Sequence, residues 1–352
     1  MRHRPELDGL RGIAVLIVLA SHTRLFGFAV EGGLAGVTLF FVLSGFLITS
    51  LLVAEYGRYG RVDLRAFYVR RGLRLLPAMF ALLAVVAVGY AINTWPSPPA
   101  PAIDNLPISL LTVAFYVPNW AAMTLEAGVL GHTWSLGVEE QFYLIWPLTL
   151  VAGIHVLGPR RMALVALAVA ILVTPWRLFL LESTGIARVV DGTDTHADAL
   201  MLGCVLALLR LRAPSFMGWL GIGCAVAAGA VWASGEMGLA LFLPVATIAS
   251  VAALAGCPAM LAWRPLAYVG RISYGLYLWH YLFIWWGWPA PLVIAASIAV
   301  AVVSYERLER PFLRLKDRYA RASMVENRPT DVAPIDADPR LSTSRRSKPE
   351  HP

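Results

Sequence analysis

The chain has 352 residues, of which 58% are hydrophobic and 14% charged. A soluble domain carries about 25% charged residues, so this composition suits lipid rather than water. The net charge of +7 sits in short basic clusters between long apolar blocks, which excludes a nucleic-acid-binding face and follows the positive-inside rule instead.

About 20 apolar residues carry a helix across the hydrocarbon core. The amino-terminal segment MRHRPELDGLRGIAVLIVLASH has the basic start and apolar run of a signal peptide. It shows no small-x-small cleavage site before His22 and Arg24, so an uncleaved first span is expected over about residues 10–28. Nine more spans are expected, over 34–54, 76–93, 138–157, 162–182, 196–211, 216–233, 238–257, 267–286 and 290–306. The one over 196–211 is the weakest, with a short apolar run and Asp198 at its start. Cys204, Cys224 and Cys257 all lie in apolar stretches without C-x-x-C spacing, so neither a disulfide framework nor a zinc site is indicated.

Arginine placement sets the expected topology. Arg2, Arg4 and Arg11 precede the first span and place the amino terminus in the cytoplasm. The arginines at 58, 61, 65, 70, 71 and 74, and later pairs such as Arg160 and Arg161, fall on the same side. From Thr94 to Glu140 there is no lysine or arginine. Within that stretch the apolar run from Ile108 to Val117 is too short to span, and reads as a re-entrant or surface-lying piece of a large external loop. Residues 316–352, charged and then rich in Pro, Ser and Asp, are expected to form a disordered cytoplasmic tail after a transmembrane domain over 1–315. The expected fold class is all-α: a polytopic membrane protein of about ten transmembrane helices with both termini cytoplasmic.

Ionisable groups in spans are costly and point to function. Arg11 and His22 lie on nearly the same face of the first span, about 16 Å apart along its axis. A neutral histidine there suits a general base for an acceptor hydroxyl; a hydrogen-bonded packing histidine is the plain alternative. Arg71 and Arg74, spaced i, i+3 in FYVRRGLRLLP, present paired guanidiniums suited to phosphates such as those of coenzyme A, or act as topogenic charge. In HTWSLGVEEQFYLIWP, Glu139 or Glu140 is placed to support the imidazole, while Ser135 and the acids also suit a helix amino terminus. Gly45, with Ser44, suits close helix packing. Asp191, Asp194, His196 and Asp198 form an external polar cluster with no recognised metal spacing, and His280 reads first as part of an aromatic belt.

Taken in order, LDGLRGIAVLIVLASH, FFVLSGFLIT, FYVRRGLRLLP, HTWSLGVEEQFYLIWP, DALMLGC, GRISYGLYLWHY and ERLERPFL resemble the acyltransferase 3 family of bacterial membrane enzymes that O-acylate envelope polysaccharides and related acceptors. The resemblance covers about residues 6–315. It implies an acyl-CoA donor, usually acetyl-CoA, and an essential histidine at His22. It associates Arg11, Arg71 and Arg74 with the donor and aligns the family glutamate with Glu139. Many members carry an arginine where this chain has His196.

The expected function is therefore an acyltransferase of the inner or plasma membrane. Acyl-CoA is its donor, a carbohydrate or glycolipid its acceptor and His22 its base, with no metal and no nucleic acid. An exporter of a small anion or lipid-linked sugar would use the same arginines as ligands, but no inverted repeat is visible.

Overall fold

The computed structural model describes residues 3–92, 105–123, 128–230 and 236–315; the expected tail over 316–352 lies outside them. Among these residues the chain is helical and has no strand. Each of the ten expected apolar segments overlaps a helix, although residues 23–28 lie beyond the first helix and 231–233 outside the described residues, and five helical stretches are long and apolar enough to cross a membrane. These are Gly33–Tyr59, Leu64–Ala91, Gly128–Thr184, Glu236–Ala255 and Ala290–Leu315. Their outer faces carry large exposed apolar side chains, such as Leu144, Ile145, Ile171 and Ile248, as a lipid-facing surface requires. The chain is thus an all-α membrane protein.

Helix α1 (Pro5–His22) starts earlier than the expected span and ends at His22. The Thr23 hydroxyl donates to the Leu19 carbonyl (2.7 Å), and Arg24 turns left-handed, which stops the helix. Its first turns carry Glu6, Asp8 and Arg11, so it is not among the uniformly apolar helices. Helix α2 (Gly33–Tyr59) is the most deeply enclosed of the long apolar helices. Helix α3 (Leu64–Ala91) begins 12 residues before the expected start at 76, capped by Asp63, whose carboxylate accepts from the Ala66 amide (2.8 Å). The arginine segment is therefore helix rather than loop.

Helices α4 (Leu106–Ala114) and α5 (Pro118–Ala122) lie in the described part of the cation-free stretch. Nine residues rise only about 14 Å, too little to cross a bilayer. Helix α6 (Trp134–Thr184) joins the fourth and fifth expected spans through a break at Gly158, where φ is +77° and Pro159 follows; only glycine adopts that conformation without strain. Its amino-terminal end carries no side-chain cap, so the capping reading of Ser135 and the glutamates does not hold.

After α7 (Ile186–Asp191) comes α8 (Ala197–Leu209), 13 residues that sit inside the bundle. A Cβ on Gly45 of α2 or Gly203 of α8 would collide with the other helix's backbone, so these two helices touch main chain to main chain. Helices α9 (Ser215–Ala230), α10 (Glu236–Ala255), α11 (Arg264–Arg271), α12 (Ser273–Trp285) and α13 (Ala290–Ser304) complete the bundle, and α13 runs into a π-helical turn over Tyr305–Glu309.

Buried Arg177 in α6 and Asp198 in α8 form a 3.0 Å ion pair. The guanidinium also donates to the Thr195 carbonyl, and the Thr247 hydroxyl reaches Asp198 (3.4 Å).

Candidate active site

The polar residues gather at two places along α1. At the Arg11 end lies a cavity of about 940 Å³, lined by the guanidiniums of Arg11, Arg58, Arg61, Arg70, Arg71 and Arg74 and by the carboxylates of Glu55, Asp63, Glu139 and Glu140. Because α3 starts at Leu64, Arg70, Arg71 and Arg74 are held on a rigid helix face that looks into this space. Cations outnumber anions here, and the surplus is concentrated in a few groups. Arg71 is matched by Glu140, with Nε 2.8 Å from Oε2 and a second contact through Nη2, and its guanidinium lies 3.2 Å over the Tyr143 ring. Arg70 stands 3.7 Å from Glu55. Arg74 makes no ion pair among the described residues, and the buried Nε of Arg11 has no hydrogen-bond partner there. Such a cavity is built to hold an anion.

Ser44 has a polar task, since its hydroxyl donates to Glu139 (2.7 Å). Neither glutamate meets His22: Glu139 and Glu140 stand with the arginines. Glu309, in the π turn, is buried and within electrostatic reach of Arg74 and Arg11. π turns recur at functional sites, and the fragment ERLERPFL gave no hint of this placement.

At the His22 end three imidazoles meet. His22 Nδ1 lies 2.8 Å from His280 Nε2. His280 Nδ1 donates to the Tyr277 carbonyl (2.8 Å). The His132 ring stands edge-on to His280 at 5.3 Å and stacks on Tyr281 at 4.9 Å. Among the described residues no three His, Cys, Asp or Glu side chains converge as a metal site would require. His280 is 1% exposed, so it belongs to the interior and not to an aromatic belt. Helix α12 is buried on all sides from Ser273 to His280, and Tyr277, His280 and Tyr281 share one face of it at i, i+3, i+4.

A second, smaller cavity of about 50 Å³ adjoins the large one and ends at Tyr277, whose ring stands 5.7 Å from that of His280. Arg11 and Glu139 line it from the large cavity, and Ser135 and Tyr277 from the histidine side. The Tyr277 hydroxyl donates to the His132 carbonyl (2.6 Å) and accepts from Ser135 (2.6 Å).

The remaining acidic cluster is mostly structural. Asp194 pairs with Arg188 (2.7 Å) and accepts from the Trp176 indole (2.6 Å), which hold its carboxyl below the usual range against the opposing effect of burial. Asp198 belongs to the Arg177 pair, and His196 is bonded to the Val190 carbonyl (2.6 Å). Burial pushes the Asp191 carboxyl up to about 6. Sequence reasoning missed Arg177, His132 and the cavity roles of Arg58, Arg61 and Arg70; an arginine inside an expected span was the available signal for Arg177.

Comparison with known proteins bears directly on this arrangement. The model of an acyltransferase domain family matches residues 4–305. The chain is 31% identical to the peptidoglycan O-acetyltransferase OatA of Listeria monocytogenes, over 88% of this chain and 56% of that protein. It is 31% identical to the putative peptidoglycan O-acetyltransferase YrhL of Bacillus subtilis, over 88% and 55%, and 34% identical to the O-acetyltransferase OatA of Staphylococcus aureus, over 80% and 50%. The chain thus spans about half the length of these curated relatives. No solved structure matches it. With the family model covering most of the chain, and with the sequence motifs gathered around one arginine cavity and one histidine cluster, the protein belongs to the acyltransferase 3 family.

Proposed function

We propose that the protein is an O-acyltransferase of the plasma membrane that moves an acyl group, foremost acetyl, from cytosolic acyl-CoA to a hydroxyl of an envelope carbohydrate. The peptidoglycan named for its relatives is the leading acceptor. The observation that carries this reading is the pairing, along one face of α1, of an anion-holding cavity at Arg11 with a buried imidazole cluster at His22. Eleven residues of helix separate them by about 16 Å, with the small cavity between.

Arg11, Arg71 and Arg74 bind the coenzyme phosphates, with Glu140 orienting Arg71, and Glu139 and Ser44 lining the path of the thioester arm. The unpaired Arg74 and the orphaned Arg11 Nε fit that group, since both lack the partner that a phosphate oxygen would supply. His22 is the general base. The hydroxyl oxygen bonds to the acyl carbon as the carbon–sulfur bond breaks; the hydroxyl proton passes to His22 and from there to the departing thiolate. In the membrane, ten helices and two cytoplasmic termini put the arginine cavity on the cytosolic side.

The test is transfer of label from acetyl-CoA in membranes containing the wild type or His22→Ala. Labelled envelope glycan with the wild type alone supports the assignment. Label persisting in the variant removes His22 as the base, and label in neither rejects this donor or this class of acceptor.

A further inference from the structure

A neutral imidazole has one N–H and one lone pair, so a chain of two imidazoles ending on a carbonyl has its donor order set from the carbonyl end. The Tyr277 carbonyl can only accept, so His280 Nδ1 carries the hydrogen. His280 Nε2 then holds a lone pair, and its 2.8 Å contact with His22 Nδ1 requires His22 Nδ1 to donate. His22 Nε2 is left as the basic nitrogen.

The arrangement is fixed. The two rings are within 4° of parallel, and His280 is enclosed by the Tyr277 and His132 rings at 5.7 and 5.3 Å. Turning the His280 ring over would put carbons where both nitrogens now bond, and would break both contacts. His22 Nε2 faces α2 at Gly33, where a methyl group would rest in ordinary van der Waals contact at 3.6 Å, and the His22 side chain is only half-buried.

We propose that His280 is a positioning residue: anchored on the Tyr277 carbonyl, it holds His22 in the Nδ1–H form so that the Nε2 lone pair is aimed at the acceptor hydroxyl. This inference rests on His22 being the base. Once Nε2 takes the proton, the His22 imidazolium keeps its Nδ1–H bond to His280. That bond strengthens because its donor is now charged, so the pair favours the charge that develops during transfer.

The test uses the full chain in lipid nanodiscs, with transfer kinetics and nitrogen NMR of labelled histidines for His280→Asn, His280→Gln and His22→Ala. Glutamine carries an acceptor oxygen to about the place of Nε2, whereas asparagine reaches only the place of Nδ1. His280→Asn is expected to lower kcat by about 100-fold or more with donor KM nearly unchanged, and His22 is expected to lose its Nδ1–H signature. His280→Gln is expected to recover about tenfold of that loss and to keep the signature. Wild-type turnover in His280→Asn, with His22→Ala inactive, overturns the inference and leaves the base intact. Equal loss in Asn and Gln with His22 still Nδ1–H overturns it as well. Activity in His22→Ala removes the base itself, and the inference with it.

Discussion

Arg74 and Arg71 lie one turn apart on α3 and face the same cavity, yet their replacement by alanine has different expected consequences. Arg71 is balanced by Glu140, in a pair whose side chains are 19% and 16% exposed. Arg71→Ala strands that carboxylate. Breaking a fully buried pair costs about 3–5 kcal/mol, and this partly exposed one is expected to cost about 2–4 kcal/mol of stability. Arg74 makes no close ion pair among the described residues and has only the more distant Glu309 carboxylate to answer it, so Arg74→Ala is expected to cost less stability than Arg71→Ala. What it loses is a charge-assisted contact to the donor, worth about 1.5–3 kcal/mol, or about 10- to 100-fold in donor KM. The assay is label transfer as a function of acetyl-CoA concentration, beside thermal unfolding of the purified protein in detergent. Arg74→Ala that melts early with an unchanged KM would refute the division of labour between the two arginines.

The Arg177–Asp198 pair is buried, so Asp198→Ala should cost about 3–5 kcal/mol while Asp198→Leu with Arg177→Met recovers most of it; thermal melts of the single and double variants measure both. Gly45→Val should prevent accumulation of folded protein, because the added carbons meet the Leu200 backbone, whereas Ser44→Ala should lose the bond to Glu139, about 1.5–3 kcal/mol; detergent-resistant yield separates them. Asp191 has its carboxyl raised from 3.8 to about 6 by burial, so the folded state holds a proton that the unfolded state releases. Stability should therefore fall as pH rises from about 4 to about 6 and stay lower above that. Asp191→Asn should remove this dependence and gain about 1–2 kcal/mol at pH 8, after allowance for the exposed part of the group, in unfolding followed across that range.

The sequence by itself determined the solvent, the helices and the family. Apolar content adds up residue by residue, so each ten-to-twenty-residue block declares its preference for lipid without reference to the rest of the chain. Helical periodicity placed Arg71 and Arg74 on one face, and Arg11 in line with His22, and the cavity confirms the first of these alignments. Periodicity gives a side chain's direction and not its neighbour. Glu139 and Glu140 were expected beside His22, because both stand near the end of an expected span. The placement of α6 beside α2 and α3 puts Glu140 on Arg71 and Glu139 on Ser44 instead.

Only the tertiary structure decided the partner of His22. His280 is 258 residues away, and its inward face is set by how α12 packs in the bundle. The same holds for Arg177 and Asp198, which needed α8 to lie inside the bundle before their charges could meet. The physical reason is common to these pairs. A buried charge or imidazole is stabilised by the one group within about 3 Å of it, and such short-range matching depends on helix packing that no local pattern records.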